Sequence, residues 1–482
     1  MILWLVIAPV LLGGLAFALP ANRLRPWMLP VTGIVHTVLS VWCVGRDNPS
    51  QLDGWVALDP LGKLFLLLVS VVFLICALYA PSYLLVRENR DNRTLCASMC
   101  LSLGMMSLIV ISHHLGLMWV AMEASTLLTA TSLFFNHNPR SLEASWKYLL
   151  LCSVGIALAL LGSFFLAYSM LYAGLEPTLL LEPIVEQAPR LSHPWLHAAF
   201  VLLFVGYGTK MGLAPMHTWK PDAYGEAPGM IGALLAGGLT NCAFLAILRF
   251  YHIAEAASDV GFARRMMLVV GLLSMGLAAV SMVRQRDLKR LLAYSSIEHM
   301  GILVFGFGIG GAAVLGSLMH VVHNGLTKGV LFLAAANIHR AYGSKFTHEL
   351  RGVLERLPFS GWMLFAGFLA ITGSPPFAPF VSEFQIVRAS FQQERFWEGG
   401  LFLLFMLLVF VGMGVSLVAI SFGRAPEGNG ESTFSDSPGT GFPILLAMAL
   451  VLLLGVYNPP EFLALLEGAV RYLEPATRTA SL

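Results

Sequence analysis

Charged side chains are scarce in this sequence. Asp, Glu, Lys and Arg together make up 12% of the 482 residues, whereas an ordinary globular domain carries about 25%. Runs of basic residues are also missing, so neither the net charge of +2 nor its distribution indicates nucleic-acid binding. With 57% hydrophobic residues and a mean hydropathy of +0.76, the composition predicts an integral membrane protein whose main surroundings are the lipid bilayer.

Paired cysteines are missing as well. Cys96 and Cys100 share a helix face at i, i+4, but the sequence has no CxxC motif and no second pair nearby. Such spacing does not favour a zinc site or an iron–sulfur cluster. We therefore expect no metal and no cofactor in this chain. The six cysteines lie mostly in apolar segments, as inert core residues: Cys43, Cys76, Cys96, Cys100, Cys152 and Cys242.

Long apolar runs fill most of the chain and leave no stretch of about 50 residues for a soluble domain. A bilayer-spanning helix needs about 17–25 apolar residues. The first run has no basic segment before it, so we interpret it as a retained helix and not as a signal peptide. The pattern predicts an all-α polytopic membrane protein of about fourteen transmembrane helices, at 2–19, 27–44, 60–84, 95–112, 115–135, 146–173, 195–215, 229–250, 264–283, 290–309, 312–337, 359–388 (interrupted), 399–422 and 441–457.

Arginine and lysine concentrate in alternate loops. Short cytoplasmic loops are enriched in these residues, so the pattern predicts both termini on the non-cytoplasmic side. The acidic loop at 174–194 fits that outer side, whereas Arg264 and Arg265 do not fit the pattern. The basic positions that define the inner side are Arg23, Arg25, Arg87, Arg90, Arg93, Arg140, Arg284, Arg286, Lys289, Arg290, Arg340, Lys345, Arg351, Arg356 and Arg424.

Two of the predicted helices carry breaks, at 212–221 and at 372–379. Interrupted helices at corresponding positions of two halves are typical of inverted repeats, with the working sites at the breaks. We therefore predict two inverted five-helix repeats, each with a broken helix. The predicted organisation is N-terminal helices 1–3 in 1–94, a first repeat in 95–250, a second in 264–422, and a last helix with a tail in 441–482.

Lys210 is the most informative residue, because it lies in the apolar stretch 197–212. A lysine near the centre of a membrane helix costs about 2.5–3.5 kcal/mol and usually has a partner. Glu123 occupies a similar apolar stretch, 117–126, and needs a cation for the same reason. We expect these two residues to form an ion pair. Separating such a pair would make the lysine release its proton more readily.

Three further charges lie near the cytoplasmic ends of helices. Asp222 and Glu226 follow the first break at i, i+4 and can share one helix face. Asp222 also follows Pro221, where it can cap free backbone amides, and capping and function are equally compatible with its position. Lys147 is more simply explained as a lysine that extends to the membrane interface.

Titratable residues recur in two later helices. Glu298 and His299 are neighbours and so point about 100° apart, whereas His320 and His323 at i, i+3 can face one groove, and Lys328 lies on the same helix. Histidine titrates near neutral pH and can pass protons between its nitrogens, which favours a relay. Histidines hydrogen-bonded within the core are an equally good interpretation of either residue alone. A metal site is disfavoured, because further ligands are not evident.

Glu383 follows the second break and completes an alternating set of acidic and basic groups in successive membrane helices. A single such residue is ambiguous, but a set of six is hard to tolerate in a membrane without a function. The six are Glu123, Lys210, His320, His323, Lys328 and Glu383.

Two motifs carry a family resemblance, the run KMGLAPMHTWKPDAYGEAP at 210–228 and the run LKRLLAYSSIEHMG at 288–301. They resemble the antiporter-like proton-translocating subunits of respiratory complex I, membrane-bound nickel-iron hydrogenases and multisubunit sodium/proton antiporters. The similarity extends over nearly the whole chain, from DPLGKLF at 59–65 to Glu383. Within the family, SSIEHM at 295–300 and SPPFAP at 374–379 are most similar to the F component of hydrogenase-4-type complexes.

The resemblance implies a glutamate–lysine pair at Glu123 and Lys210, a central relay at His323 and Lys328, and a terminal residue at Glu383. Two departures stand out. A bridging lysine common in the family's eighth helix corresponds here to Asn241, and Lys220 stands where many relatives have an apolar residue. The sequence also ends without the long lateral helix of one subunit type.

The leading hypothesis is a proton-translocating subunit of a redox-driven complex of the hydrogenase-4 type in a prokaryotic inner membrane. It has no redox site of its own, and membrane and peripheral partner subunits would hold a nickel-iron centre and iron–sulfur clusters. The alternatives are a complex I subunit, a redox-independent sodium/proton antiporter, and a scaffold that has kept the fold without pumping. The candidate proton-translocation residues are Glu123, Lys210, Lys220, Asp222, Glu226, Glu298, His299, His320, His323, Lys328 and Glu383.

Overall fold

The computed structural model describes residues 1–46, 48–87, 90–424 and 434–474. Within these ranges the chain is helical, and the only extended pairing is in isolated bridges between loops. The helices are α1 (Trp4–Ala18), α2 (Arg25–Val44), α3 (Pro60–Leu85), α4 (Arg93–Ile111), α5 (Leu115–Leu133), α6 (Pro139–Tyr172), α7 (Leu181–Gln187), α8 (His193–Met211), α9 (Trp219–Glu226), α10 (Gly229–Leu234), α11 (Thr240–Ala256), α12 (Val260–Met282), α13 (Leu288–Ile309), α14 (Ala312–Tyr342), α15 (Val353–Arg356), α16 (Pro358–Ile371), α17 (Ala378–Gln392), α18 (Phe396–Phe422), α19 (Pro438–Val456) and α20 (Pro460–Leu473).

Each of the fourteen predicted spans coincides with helix in the structure, which confirms the polytopic all-α fold. Ten helices are long and apolar enough to cross a membrane by length and composition alone. The other four spans correspond to the short α1, to α8, to the polar α14, and to the interrupted α16 and α17. Residues 475–482 of the predicted C-terminal segment lie outside the described residues.

The two breaks share a local geometry. Each contains a glycine in the left-handed region, Gly212 at φ 83° and Gly373 at φ 67°, which side-chain-bearing residues rarely adopt. In each break a proline in a cis peptide bond, Pro215 or Pro376, follows three residues after that glycine. The first break separates α8 from α9, and the second separates α16 from α17.

Small residues allow very close packing beside the first break. A Cβ atom on Gly206 of α8 would lie 2.6 Å from the backbone nitrogen of Ala159 in α6. In the second half, a Cβ on Gly271 of α12 would lie 2.9 Å from the carbonyl oxygen of Gly301 in α13. Apolar burial cannot drive helices together inside a bilayer, so such backbone contact is a main source of helix association.

Among the described residues, four α-helices lie outside the predicted spans, namely the short α9 and α15 together with α7 and α20. Helix α7 lies in the acidic loop, and α20 is amphipathic, with Leu466, Ala469 and Leu473 buried. Glu474, directly after α20, accepts hydrogen bonds from Tyr251 at 2.6 Å and from Arg264 at 2.7 Å. This ion pair gives Arg264 a structural role that is independent of its position relative to the membrane, which accounts for one of the two exceptions to the arginine pattern.

Candidate functional site

Lys210 lies in the last turn of α8, and its side chain is 1% exposed. Its Nζ donates hydrogen bonds to Thr126 Oγ1 and to the Tyr148 hydroxyl, both at 2.6 Å. The Tyr148 hydroxyl group also forms a hydrogen bond of 2.6 Å with Thr129 Oγ1. Hydroxyl oxygens from α5 and α6 therefore surround the buried ammonium group.

The expected direct ion pair between Glu123 and Lys210 is not present among the described contacts. Glu123 is half-buried, and its Oε1 accepts a hydrogen bond of 2.6 Å from Ser153 Oγ. Thr126, which binds Lys210, lies three residues after Glu123 and hence on the same side of α5. The Lys210 ammonium group therefore contacts α5 at Thr126, one turn away from the Glu123 carboxylate. Hydroxyl groups accept its hydrogen bonds there.

Lys220 is buried in the second residue of α9, with 0% exposure. Its Nζ donates to the carbonyl oxygen of Met211 at 2.9 Å and to that of Ser296 at 3.4 Å. The side chain passes directly over the first break, where a Cβ on Gly212 would lie 2.6 Å from Lys220 Cδ. Among the described residues no carboxylate forms an ion pair with this lysine, so its ammonium group depends on carbonyl dipoles and on the ring of Tyr224, 5.7 Å away.

Asp222 and Glu226 lie on the other side of α9, at the face that the arginine pattern predicts to be cytoplasmic. Asp222 pairs with Arg290 at 2.6 Å and with Lys147 at 2.9 Å, and Glu226 pairs with Lys345 at 2.7 Å. Thr218 is the N-cap of α9, and no side chain caps it, so the capping interpretation of Asp222 is wrong. These two acids form a network of ion pairs with Lys147, Arg290 and Lys345 and make no direct contact with Lys210 or Lys220 among the described contacts.

Lys328 is the buried cation of the second half. Its side chain has 0% exposure, and its Nζ donates to Ser295 Oγ at 2.7 Å. Glu298, which is 2% exposed, follows Ser295 by three residues on α13 and lies on the same side of that helix. The motif at 288–301 therefore places a hydroxyl group and a carboxyl group one turn apart beside α14.

Three histidines form a hydrogen-bonded chain between α13, α14 and α17, and all have 0% exposure. His299 Nδ1 and His320 Nε2 are 2.9 Å apart. Ser382 Oγ then joins the chain to both neighbours, at 2.9 Å from His320 Nδ1 and 3.1 Å from His323 Nδ1. The i, i+3 spacing of His320 and His323 thus leads both rings to one hydroxyl group.

The single hydroxyl proton of Ser382 fixes the direction of these bonds. Ser382 Oγ donates to the carbonyl oxygen of Pro379 at 2.9 Å, so it can only accept from the two histidines. His320 and His323 must then carry protons on Nδ1, and the neutral His320 accepts at Nε2 from His299 Nδ1. In this neutral arrangement every N–H bond of the chain is directed towards Ser382.

Glu383 lies beside this chain and is 3% exposed. Its Oε1 is 3.8 Å from His299 Nδ1. A Cβ on Gly373 would collide with the Glu383 carboxylate, just as a Cβ on Gly212 would collide with Lys220. In each half, therefore, the glycine of the break makes room for a buried charged side chain from the half-helix that follows.

His299, His320 and Glu383 also offer three donor atoms within 4.8 Å of one another, which is the kind of set that binds zinc. In this structure the two rings instead hydrogen-bond to each other, and His320 uses its second nitrogen for Ser382. The two rings are thus engaged in a hydrogen-bond chain, whereas neither oxygen of the Glu383 carboxylate has a hydrogen-bond partner among the described residues.

The hydroxyl groups that connect the site were missed by sequence reasoning, which considered charges and histidines only. Thr126, Tyr148, Ser295 and Ser382 each bind a buried lysine or histidine. A signal was present for two of them, since Ser295 belongs to the motif with Glu298 and Ser382 precedes Glu383. No pattern distinguishes Tyr148 from the other aromatic residues of α6.

A second buried polar cluster lies at the start of α3, on the side opposite the ion pairs of Asp222 and Glu226. Asp59 caps α3 at the amide of Gly62, lies 3.1 Å from His113 Nε2, and lies 3.6 Å from Arg249. Burial raises the pKa of Asp59, but the hydrogen bond from His113, the charge of Arg249 and the Gly62 amide together lower that pKa to about 2. This cluster joins α3 to α11 and to the loop after α4.

Comparison with known proteins identifies relatives of similar length. Residues 112–413 match the family described as NADH:quinone oxidoreductase/Mrp antiporter, TM. A hydrogenase-4 component F homolog of Methylacidiphilum infernorum is 34% identical over 91% of this chain and 92% of that protein. The F(420)H(2) dehydrogenase subunit N of Methanosarcina mazei is 30% identical over 87% of this chain and 85% of its own length.

A solved structure shows the same fold. A chain of the membrane-bound sulfane sulfur reductase, an archaeal respiratory membrane complex, superimposes with a TM-score of 0.87 at 21% identity. The superposition covers 98% of this chain and 97% of that one.

Proposed function

The chain belongs to the NADH:quinone oxidoreductase/Mrp antiporter transmembrane family, and from that premise we propose that it translocates protons as the antiporter-like subunit of a redox-driven membrane complex. The complex that we propose is a membrane-bound nickel-iron hydrogenase of the hydrogenase-4 type, because the relative with 34% identity is a hydrogenase-4 component F homolog. Other membrane and peripheral subunits would bind this chain and hold the nickel-iron centre and the iron–sulfur clusters.

The hydrogen-bonded histidine chain is the observation that carries this proposal. A proton that arrives at His299 Nε2 allows this ring to release its Nδ1 proton to His320, which in turn can release its own Nδ1 proton. For the proton to continue to His323, the Ser382 hydroxyl must rotate away from Pro379, and His323 must first hold its own proton on Nε2 so that its Nδ1 can accept. The chain thus has a defined step at which transfer can be controlled.

Electrostatic interactions can drive proton transfer through the buried lysines Lys210 and Lys328. Moving one charge against 100 mV takes about 2.3 kcal/mol. A change of between one and two pKa units corresponds to a similar free energy. A charge change in a neighbouring subunit would alter the interaction of Glu123 with Lys210, and the released proton would pass by way of Lys328 to the histidine chain, with Glu383, 3.8 Å from His299 Nδ1, as the terminal group.

The inner end of the path is proposed at Asp222 and Glu226. These acids line a cavity of about 170 Å³ together with Lys147 and Arg290. Ion pairs hold both carboxylates at the end of α9, next to the first break. An acidic pair in an open cavity can collect protons from the inner side and supply them towards the buried lysines.

The shared geometry of the breaks at Gly212 and Gly373 supports inverted repeats in 95–250 and 264–422. We propose that both termini lie on the non-cytoplasmic side of a prokaryotic inner membrane. The inner-face ion pairs around α9 agree with that orientation, since they contain the arginines and lysines of the predicted cytoplasmic loops.

Purification of the tagged chain from native membranes in mild detergent tests the partners. Mass spectrometry with nickel and flavin analysis should find a nickel-containing subunit with iron–sulfur partners. A flavin-containing NADH module would place the chain in complex I instead, and small membrane subunits without nickel or flavin would indicate a sodium/proton antiporter. In vesicles of the intact complex, Lys210→Met should abolish the chain's proton translocation, and unchanged translocation would contradict the relay.

A further inference from the structure

We propose that Lys220 is the group that carries protons between the two halves of the molecule. This inference rests on the proposed proton translocation and assigns a specific role within it. Lys210 belongs to the first half and Lys328 to the second, and each is buried and bound by hydroxyl groups of its own half. A path that uses both needs a titratable group between them.

Lys220 lies between the immediate neighbours of those two sites. One of its acceptors is the carbonyl oxygen of Met211, the residue that follows Lys210. The other is the carbonyl oxygen of Ser296, the residue that follows Ser295, which binds Lys328. The Lys220 ammonium group thus contacts the backbone beside each relay lysine.

The stretch from α10 into the first half of α11 offers no lysine, histidine or carboxylate as an alternative carrier. The sequence from 229 to 248, which forms α10, the π-helical turn Leu235–Leu239 and the first half of α11, contains no lysine, arginine, histidine or carboxylate. Asn241 in this stretch donates to the carbonyl oxygen of Gly237 at 2.9 Å and cannot take up a proton. The aromatic ring of Tyr224 lies 5.7 Å from the Lys220 ammonium group.

The surroundings of Lys220 suit a group that gains and loses a proton. A buried ammonium group without a carboxylate depends on the hydrogen bonds that it makes. Its two acceptors here are neutral carbonyl groups, which do not hold the proton as a carboxylate would. The four-carbon side chain can also redirect its head group between the two acceptors, because lysine has several rotatable bonds.

The competing explanation is purely structural. The Lys220 ammonium group binds the carbonyl oxygen of Met211 in the last turn of α8. A cation at this position stabilises the free carbonyl groups of a helix C-terminus. An arginine would keep this stabilisation, because it carries the same charge and several donors. It would not act as a proton carrier, because the guanidinium group stays protonated in proteins.

The test compares Lys220→Arg and Lys220→Met in the intact complex in inverted membrane vesicles. Lys210→Met serves as the reference for lost translocation. As a matched control, Lys63→Arg changes an outer lysine that also donates to a backbone carbonyl, that of Arg46 at 3.1 Å. The measurements are redox-driven proton translocation, redox turnover, and assembly of the complex on native gels.

We expect both Lys220 variants to assemble and to reduce the translocation that depends on Lys210 by about a hundredfold, the lower end of what a positioned proton-transfer group contributes. Wild-type translocation in Lys220→Arg would overturn the proposal and leave Lys220 as a structural cation. If Lys220→Met fails to assemble, Lys220→Gln keeps hydrogen-bond donors without a charge and replaces it. If Lys210→Met itself has no effect, the proposed function fails and not only the role of Lys220.

Discussion

Replacing Ser382 by alanine should interrupt the histidine chain at its centre. The hydroxyl group accepts from His320 and His323 at 2.9 and 3.1 Å and lies in a site with 0% exposure. Without it, two buried N–H groups lose their acceptor. Each such loss costs about 1–3 kcal/mol, so the variant should be destabilised by about 2–6 kcal/mol.

Transport should respond more strongly than stability. In our assignment the rotating hydroxyl of Ser382 is the only link from His320 to His323 among the described residues, so Ser382→Ala should lose the translocation that passes through His323 while redox partners still assemble. Ser382→Thr keeps a hydroxyl group and should retain most of the activity. Ser421→Ala, which removes a buried hydroxyl on α18 that has no partner among the described residues, is the control and should change neither quantity.

The assay combines proton translocation in vesicles with thermal unfolding of the purified complex. A Ser382→Ala complex that translocates protons at the wild-type rate would refute the path through the three histidines, whatever its melting temperature. Lost translocation in both Ser382→Ala and Ser382→Thr, with equal loss of stability, would instead indicate a packing defect.

Three further changes test other parts of the structure. Tyr148→Phe removes an acceptor of Lys210 at 2.6 Å and should slow translocation and lower stability by about 1–3 kcal/mol, measured against the exposed control Tyr168→Phe. Glu474→Gln weakens the 2.7 Å ion pair with Arg264 and should increase hydrogen exchange in α20 without affecting transport; unchanged exchange would show that apolar packing alone holds this helix. The pKa of Asp59 is lower in the folded protein, so its carboxylate stabilises the fold by about 2 kcal/mol above about pH 4, and this contribution is lost as the pH falls towards about 2. Asp59→Asn should therefore make the free energy of unfolding less dependent on pH in that window. An acid-unfolding profile identical to that of the wild type would contradict the assignment.

The apolar runs were sufficient to predict the membrane helices, because a bilayer imposes both length and composition on a spanning segment. Proline and glycine predicted both breaks, because these residues interrupt a helix locally. Helix α20 was missed because its apolar residues cover only one face, so the segment has no continuous apolar run. The buried face of α20, formed by Leu466, Ala469 and Leu473, is recognised only in the structure.

Which site residues contact each other was harder to predict than which residues belong to the site. The charges of Glu123 and Lys210 suggested a direct pair, but the order of residues along two helices does not fix which turns face each other. Thr126, one turn from Glu123, takes the lysine instead. The role of Asp222 was ambiguous for a similar reason, since its partner Arg290 lies 68 residues away and only folding brings the two together.

The glycine contacts between α6 and α8 bear on how the molecule works in time. With Gly206 packed against Ala159, and Gly271 against Gly301, these helix pairs have no room to slide or separate without losing their closest backbone contacts. The backbone beneath Lys210 is therefore fixed by its neighbours. We expect transport to proceed by side-chain rotation, and not by the microsecond-to-millisecond rocking of whole helix bundles.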